Sequence, residues 1–193
     1  MELTPTIERL LSLPFGRVVD IGTAEGYYAV GFAHRLRQVQ VIGFEADAAA
    51  RQLLEKLATL NGVADRVEIR GFCRAEDVLQ IVAEATKPVL IICDAEGGEK
   101  DIFLSSPPAD FAKATLVIET HEFVVPGITN SLMTHFARTH HIERIDTRER
   151  TYRDLPSVFQ SRLCARWLAK GINELRPCTM SWLVLEPNAS SGL

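Results

Sequence analysis

Long apolar runs are missing from this 193-residue chain: the longest uninterrupted one, Val89–Cys93, is far shorter than the roughly 20 residues that span a bilayer. Cysteine is scarce, and the four cysteines form neither a C-x-x-C pair nor a metal-binding spacing. This excludes a disulfide scaffold and favours reduced thiols. Charge of one sign is not in excess either, because the net charge is −4 with acids and bases interleaved. A nucleic-acid partner, which needs a concentrated basic surface, is therefore not expected.

The N-terminus and the overall composition indicate one soluble domain. The segment Met1–Pro5 has neither the basic nor the apolar part of a secretory signal, so we expect a cytoplasmic protein without a membrane partner. Hydrophobic residues make up 47% of the chain and charged residues 24%, which is typical of a packed globule. We predict a single domain over 1–193, with an N-terminal cap helix over 1–14 and a loose tail over 188–193. The oligomeric state is left open.

Short β-branched runs alternate with longer amphipathic segments along the chain. Buried strands are predicted at 17–21, 39–45, 67–69, 89–93, 114–119, 142–145 and 180–185. Helices are predicted between them, at about 25–37, 47–60, 75–85, 99–104, 130–140 and 157–170. This alternation predicts an open, mostly parallel α/β sheet with helices on both faces. Sheets of this kind bind ligands beyond the carboxyl ends of their strands, so those ends are where functional residues are expected.

The first predicted strand ends in an acid and a glycine turn. Gly22 and Gly26 allow a tight turn and a close approach of the backbone to a ligand, but Ala24 stands where a dinucleotide fingerprint has its second glycine. Asp20 would repel a pyrophosphate, and the segment 18–31 holds no Lys or Arg to offset it. The loop therefore suits a ligand that carries a cationic amine or sulfonium.

The second strand ends in Glu45, 19 residues after Gly26. A carboxylate at this place can accept hydrogen bonds from both hydroxyls of a ribose. Together with Asp20, Gly22 and Gly26, it favours a nucleoside ligand with a positively charged tail.

Paired acids follow the fourth strand, and an acid and a histidine end the fifth. Asp94 and Glu96 are candidates for a general base, for metal ligands or for binding a cation, whereas Glu99 is interpreted as stabilising the next helix N-terminus. If the two strands are neighbours, their ends lie about 5 Å apart, and Glu119 and His121 would face Asp94 and Glu96. His121 is the best acid–base candidate because its ordinary pKa is near neutrality.

These blocks resemble a known family. The run Val18–Tyr28 is similar to motif I of class I S-adenosylmethionine-dependent methyltransferases, and its Gly-Tyr-Tyr ending is like that of the FkbM family. Phe44–Asp47 resembles that family's second-strand acid, with Ala46 in place of the usual proline. Asp94–Glu99 resembles its D-x-E-G-x-E signature, and Glu119–His121 its E-x-H.

The resemblance implies a seven-stranded Rossmann-like methyltransferase sheet whose last strand is antiparallel, and an S-adenosylmethionine cofactor. The residues that it implies for cofactor binding are Asp20, Gly22, Thr23 and Gly26 at the methionine part, Glu45 at the ribose, Phe72 at the adenine, and Asp94. Cys73 stands near where many such enzymes place an acid beside the adenine amine.

The implied reaction is O-methylation of a small hydroxylated acceptor, such as a sugar or glycan. We expect His121 to be the base and Glu119 to orient it, with Asp94 and Glu96 lining the pocket. In a variant of this scheme, Asp94, Glu96 and Glu119 hold Mg²⁺, which lowers the pKa of the acceptor hydroxyl.

Two other functions stay open at this point. A nicotinamide-dependent oxidoreductase could use a similar sheet, although Asp20 and the missing glycine argue against it. A non-catalytic module that binds S-adenosylmethionine is the third possibility, because the chain has little sequence beyond the core sheet to form a lid.

Overall fold

The computed structural model describes residues 2–148, 150–155, 157, 168 and 180–188. Within this part of the chain, strands and helices alternate up to residue 136, and two further strands follow, in the order that the sequence predicts. The helices are α1 (Thr4–Leu10), α2 (Tyr27–Arg35), α3 (Ala48–Leu60), α4 (Ala75–Glu84), α5 (Glu99–Phe103) and α6 (Ile128–Phe136). The strands are β1 (Arg17–Ile21), β2 (Gln40–Phe44), β3 (Val67–Arg70), β4 (Val89–Cys93), β5 (Ala114–Thr120), β6 (His140–Asp146) and β7 (Ser181–Pro187).

The seven strands form one sheet in the order β3-β2-β1-β4-β5-β7-β6. Strands β1 to β5 pair in parallel, whereas β7 pairs antiparallel with both β5 and β6. The predicted fold class, a mostly parallel sheet with its last strand reversed, is confirmed. The order changes direction at β1, whose neighbours are β2 and β4, and a ligand crevice is expected beside such a switch point.

Helices cover both faces of the sheet, which explains why β4 is apolar at every position. All five residues of β4 are buried, and their side chains alternate between two cores. One core contains Ile91 and Cys93 with side chains from α4, α5 and α6. The other contains Leu90 and Ile92 with side chains from α1, α2 and α3.

Two predicted helices have different bounds in the structure. The helix expected from about residue 25 begins at Tyr27, because Ala24 and Gly26 both have positive φ angles that a right-handed helix cannot contain. The helix expected to reach His140 ends at Phe136, because His140 already pairs with Pro187 as the first residue of β6. Its start is also earlier than expected, at Ile128.

The structure describes the N-terminal end of the chain from residue 2 and the C-terminal end as far as residue 188. The predicted cap helix corresponds to α1. Asn188, placed by the sequence in a loose tail, donates from its backbone N–H to the Thr139 carbonyl at 2.9 Å. Residues 189–193 and the predicted helix at 157–170, apart from residues 157 and 168, lie outside the described residues. Among the helices that are described, none is long and apolar enough to cross a membrane.

Candidate active site

Four of the predicted acids meet at one edge of the sheet, where β1, β2, β4 and β5 end. Asp20 and Glu119 lie two positions after Val18 and Val117, on the same faces of their strands. Both valines pack in the core beneath α1, α2 and α3, so both acids face that helix layer. Asp94 directly follows β4, and Glu45 follows β2. The topology therefore brings together residues that are up to 99 positions apart in the chain.

Asp20 is buried beneath the first turns of α2. Its carboxylate accepts a hydrogen bond of 2.8 Å from the Ala29 backbone N–H. Burial raises the pKa of Asp20 to about 7, and the nearby Asp94 and Glu45 carboxylates add to the rise while the Ala29 hydrogen bond opposes it. A cation placed next to this group would favour the charged form, which fits the sequence-based expectation of a positively charged ligand.

The glycines of the first loop are required by the protein itself. Gly22 has a φ of +77°, and a Cβ there would lie 1.9 Å from the Asp94 carbonyl oxygen. Gly26 has a φ of +100°, and a Cβ there would lie 2.2 Å from Leu54 Cδ1. The two glycines thus allow β1 to pack against the β4 loop and α2 against α3, so their presence does not by itself require a ligand.

Glu45 is held by two backbone N–H groups. Its carboxylate oxygens accept hydrogen bonds of 2.8 Å each, one from Ala24 and one from Asp47. Each oxygen retains a second lone pair, so the group can still accept from the hydroxyls of a ribose.

Thr23 and Phe72 have side chains that the fold leaves available. Thr23 is buried, and its Oγ1 has no hydrogen-bond partner among the described residues. Phe72 follows β3 with 74% of its surface exposed, as expected of a ring that has room to pack on a ligand. Its neighbour Cys73 packs in the core, and this burial raises the pKa of the thiol to about 12.

His121 lies at the centre of the acidic cluster. The imidazole is 1% exposed, and its Nδ1 is 2.7 Å from Oε1 of the fully buried Glu99. On the other side of the ring, Nε2 lies 3.3 Å from Asp94 Oδ1 and 3.4 Å from Glu96 Oε2. The predicted approach of His121 to Asp94 and Glu96 is confirmed by these distances, because β4 and β5 are neighbours.

The charge on His121 is set by these carboxylates. Burial alone would lower its pKa, but the contacts with Asp94 and Glu99 raise it to about 10. The imidazole is thus an imidazolium at neutral pH in this structure. It holds three carboxylates together at the carboxyl edge.

Glu99 is the residue of this cluster that the sequence analysis left out of the candidate site. Its interpretation as a residue that only stabilises the α5 N-terminus was incomplete, because Oε1 contacts His121 and also accepts from Ala95 N and Gly97 N at 3.3 Å. The signal was present in the sequence as a third acid, five positions after Asp94 and directly after a glycine turn.

Glu119, which the sequence analysis expects to orient His121, lies within the same cluster. One ligand atom each of Asp94, Glu119 and His121 lies within 4.8 Å of the others. The short contact with Nδ1, which would orient the ring, is made by Glu99. In the sheet, Glu119 pairs with Trp182 of β7.

Glu96 is held in a backbone conformation that is rare for its residue type. Its φ is +49°, and the following Gly97 has a φ of +106°. A Cβ at Gly97 would lie 2.6 Å from Val124 Cγ1, so the β4 loop packs closely on the segment after His121. The strained turn directs the Glu96 side chain to Nε2.

The fold is shared with solved methyltransferases. No family model and no curated protein matches the chain. The O-methyltransferase TomG of Streptomyces achromogenes, solved with S-adenosylmethionine, is 16% identical with a TM-score of 0.60, over 96% of this chain and 78% of its own. A methyltransferase from Geobacter sulfurreducens, solved with S-adenosylhomocysteine, is 15% identical with a TM-score of 0.55, over 97% and 90%.

This chain has a methyltransferase fold. The fold does not select the atom that receives the methyl group, because the C-terminal domain of a precorrin-6Y C5,15-methyltransferase from Rhodobacter capsulatus is also similar. It is 15% identical with a TM-score of 0.56, over 93% of this chain and 85% of its own.

Proposed function

We propose that this protein is an S-adenosylmethionine-dependent methyltransferase of the FkbM type, acting on a hydroxyl of a small metabolite, sugar or glycan. The observation that carries the proposal is the His121 cluster, a buried imidazole held by Glu99 and facing Asp94 and Glu96 at the carboxyl ends of β4 and β5 in a methyltransferase fold. An acid–base group at that place is what methyl transfer to a hydroxyl needs, since the hydroxyl proton has to leave.

The residues at the carboxyl edge fit the cofactor. Asp20 offers a buried carboxyl group with a raised pKa, and Thr23 a buried oxygen without a partner among the described residues. These two, with Gly22, Gly26 and Asp94, would hold the methionine part, while Glu45 would accept from the ribose and Phe72 would pack on the adenine. The cofactor supplies an activated methyl group on a sulfonium.

His121 acts as the base once its proton is less tightly held. In this structure the Asp94 and Glu99 carboxylates raise the pKa of the imidazole to about 10, which favours its protonated form. A cation bound against Asp94 would offset part of their negative charge, which lowers the pKa of His121 towards neutrality. Glu99 keeps Nδ1 engaged, so Nε2 is the atom that takes the acceptor proton.

The predicted magnesium set does not fit the geometry. The atoms that lie close enough to share an ion belong to Asp94, Glu119 and His121, with the imidazole in the place assigned to Glu96. Mg²⁺ prefers an octahedron of oxygens, and His121 is held as an imidazolium by its carboxylates. The proposed reaction therefore has no step through Mg²⁺.

Calorimetric titration tests the cofactor. We expect micromolar binding of S-adenosylmethionine and S-adenosylhomocysteine, no heat with NAD, and the same affinities with and without Mg²⁺. Binding of NAD instead would favour an oxidoreductase. Binding of the sulfur nucleosides without turnover on a panel of hydroxylated acceptors would favour a non-catalytic binding module.

Substitution of His121 tests the base. His121→Ala should lower kcat by about 10²–10⁴-fold, since that is the usual contribution of a general base, and leave the affinity for S-adenosylhomocysteine within a few-fold of the original. The pH profile gives a second readout. The kcat/KM for S-adenosylmethionine, which reports the protein without ligands, should rise towards a pKa near 10, while kcat, which reports the bound complex, should level off at lower pH. Activity that survives the substitution within a few-fold would remove His121 from the role.

A further inference from the structure

A cleft of about 300 Å³ lies between α1 and α2, outside the acidic cluster. Its walls are mainly apolar and aromatic, and they include Leu3, Ile7, Leu11, Tyr27, Tyr28 and Phe32. The volume is at the lower end of the range for small-molecule sites in proteins. The cleft is thus large enough for a compound of one or two rings.

The cleft reaches the candidate active site through Tyr28. Tyr27 and Tyr28 form the first turn of α2, directly after the loop that contains Gly22 and Gly26. The Tyr28 ring lies 6.1 Å from the Trp182 ring, and Trp182 pairs with Glu119. Burial is the main cause that raises the pKa of the Tyr28 phenol, and the Glu119 carboxylate adds to the rise. One wall of the cleft therefore borders the acidic cluster.

The polar groups of the cleft are those of Thr4, Glu8 and Arg35 and the two tyrosine phenols. The two charged ones, Glu8 and Arg35, form a two-point contact with each other, at 3.1 and 2.7 Å. Arg35 ends α2, so this pair lies at the opposite end of the cleft from Tyr28. A polyhydroxylated sugar buried here would lose more hydrogen bonds to water than the remaining hydroxyls of the walls can replace. A flat apolar body would gain from the same walls.

We propose that this cleft binds the methyl acceptor, and that the acceptor is a hydroxylated apolar ring compound whose hydroxyl lies beside Tyr28 and the acidic cluster. The inference rests on the proposed function. It narrows the acceptor, there a small metabolite, sugar or glycan, to a small metabolite with a ring and little polar surface. The apolar walls hold the body of the acceptor, and the tyrosine end of the cleft presents its hydroxyl to the site.

Gly31 provides the test, because it lines the cleft from the middle of α2. Outside its own helix backbone and its chain neighbours, a Cβ at Gly31 would meet nothing within 4 Å, so the backbone leaves room to start a side chain there, and Gly31→Leu extends that side chain into the cleft. Gly31→Ala is a smaller step in the same direction. His34→Leu is the matched control, since it adds an apolar side chain to an exposed position of α2 that does not line the cleft.

The probe is 2-naphthol, titrated by calorimetry in the presence of saturating S-adenosylhomocysteine, with methyl glucoside as the sugar comparison. We expect 2-naphthol to bind with a dissociation constant of roughly 0.1–1 mM, as a ligand of about 11 heavy atoms does at moderate efficiency per atom. Gly31→Leu should weaken this binding at least tenfold and Gly31→Ala less, while His34→Leu leaves it within twofold. Methyl glucoside should give no heat.

The possible outcomes separate this inference from the proposed function. Naphthol binding that Gly31→Leu leaves unchanged, absence of naphthol binding, or tighter binding of methyl glucoside would each overturn the cleft as the acceptor site, even with S-adenosylhomocysteine bound. Failure of S-adenosylhomocysteine to bind, together with Gly31-dependent naphthol binding, would overturn the methyltransferase proposal and still support an apolar ligand site between α1 and α2. Thermal unfolding of each variant verifies that it is folded.

Discussion

Asp20 shows at the scale of one residue how burial changes the chemistry of a carboxyl group. An exposed aspartate is fully charged at neutral pH, whereas burial raises the pKa of this one to about 7. The Ala29 N–H reduces the shift but does not cancel it. The same residue that the sequence marks as a binder of cations is thus only partly charged until a cation arrives.

Asp20→Asn should change how stability depends on pH. The folded-state pKa is above the ordinary 3.8, so the folded state binds more protons than the unfolded state between about pH 4 and 7. The contribution of Asp20 to stability therefore declines as the pH rises through this window, by roughly 2–4 kcal/mol. Asparagine does not titrate and can still accept from the Ala29 N–H.

Urea unfolding at pH 5 and pH 8 measures this effect. The free energy of unfolding should fall more steeply between the two pH values for the original chain than for Asp20→Asn. Equal slopes for the two proteins would show that Asp20 is already charged in the folded state.

His121 and Glu99 illustrate a second effect at this scale. The two residues are 22 positions apart, and their separate sequence blocks do not show that they touch. The 2.7 Å contact between them exists only because β5 lies beside β4 and the β4 loop turns back over it. A positioning residue of this kind is recognised from contact, not from residue type.

At the scale of elements, the loops between strands and helices carry the strain of the site. Ala24, Glu96 and three glycines around them have positive φ angles at the two loops that follow β1 and β4. These loops turn sharply, which brings the start of each following helix back to the carboxyl edge. The α2 glycine Gly31 is different, because it lies within regular helix and the position that a Cβ would take is open.

Alanine substitutions at Gly22 and Gly31 should therefore change the free energy of unfolding in opposite directions. Gly22→Ala combines a left-handed backbone with a Cβ 1.9 Å from a carbonyl oxygen and should cost about 2–4 kcal/mol of unfolding free energy. Gly31→Ala should add about 0.5–1 kcal/mol, because alanine loses less backbone entropy in a helix. Chemical denaturation of both variants measures the difference, and a neutral Gly22→Ala would contradict the packing described here.

The start of α6 depends on a carboxylate from the preceding loop. Gly127, the residue before the helix, has no side chain with which to cap it, and Glu122 accepts instead from Gly127 N at 2.7 Å and Thr129 N at 2.9 Å. The Thr129 side chain is the largest cause that lowers the pKa of Glu122, and the two backbone hydrogen bonds add to it, so the contribution of Glu122 to stability is present above its unfolded pKa and is lost as the pH falls through the folded pKa.

Glu122→Gln should cost about 1 kcal/mol at pH 7, since it replaces a charged acceptor at a helix N-terminus with a neutral one. The cost should shrink as the pH falls through the lowered pKa of Glu122, because the native carboxyl group then becomes neutral as well. Glu55→Gln, on an exposed face of α3, is the control and should change the free energy of unfolding by less than about 0.5 kcal/mol. A Glu122→Gln cost that stays constant with pH would contradict the capping role.

At the scale of the whole molecule, ligand binding and stability are linked. If the acids at the carboxyl edge bind the cofactor only in the folded state, S-adenosylhomocysteine at 100 times its dissociation constant should add about 2.7 kcal/mol to the free energy of unfolding. For a chain of this length, Tm should rise by roughly 5–10 °C. NAD at the same concentration is the control, and an equal rise with NAD would contradict the proposed cofactor.

The sequence by itself determined most of the elements and the class of the fold. The continuous apolar run of β4 and the alternation of strands with amphipathic helices reflect burial on one or two faces, which is a local property of each segment. The acids Asp20, Glu45, Asp94 and Glu119 could also be assigned to strand ends, because a polar residue that follows an apolar strand marks where the strand leaves the core.

The tertiary structure alone decided which residues meet. The strand order sets β4 beside β5 and β7 between β5 and β6, and from that order follow the contact of Glu99 with His121, the raised pKa of both His121 and Asp20, and the cleft between α1 and α2. Periodicity records how deeply a segment is buried but not which segment covers it. Contacts between distant residues arise from the packing of the whole sheet, and so does the chemistry of this site.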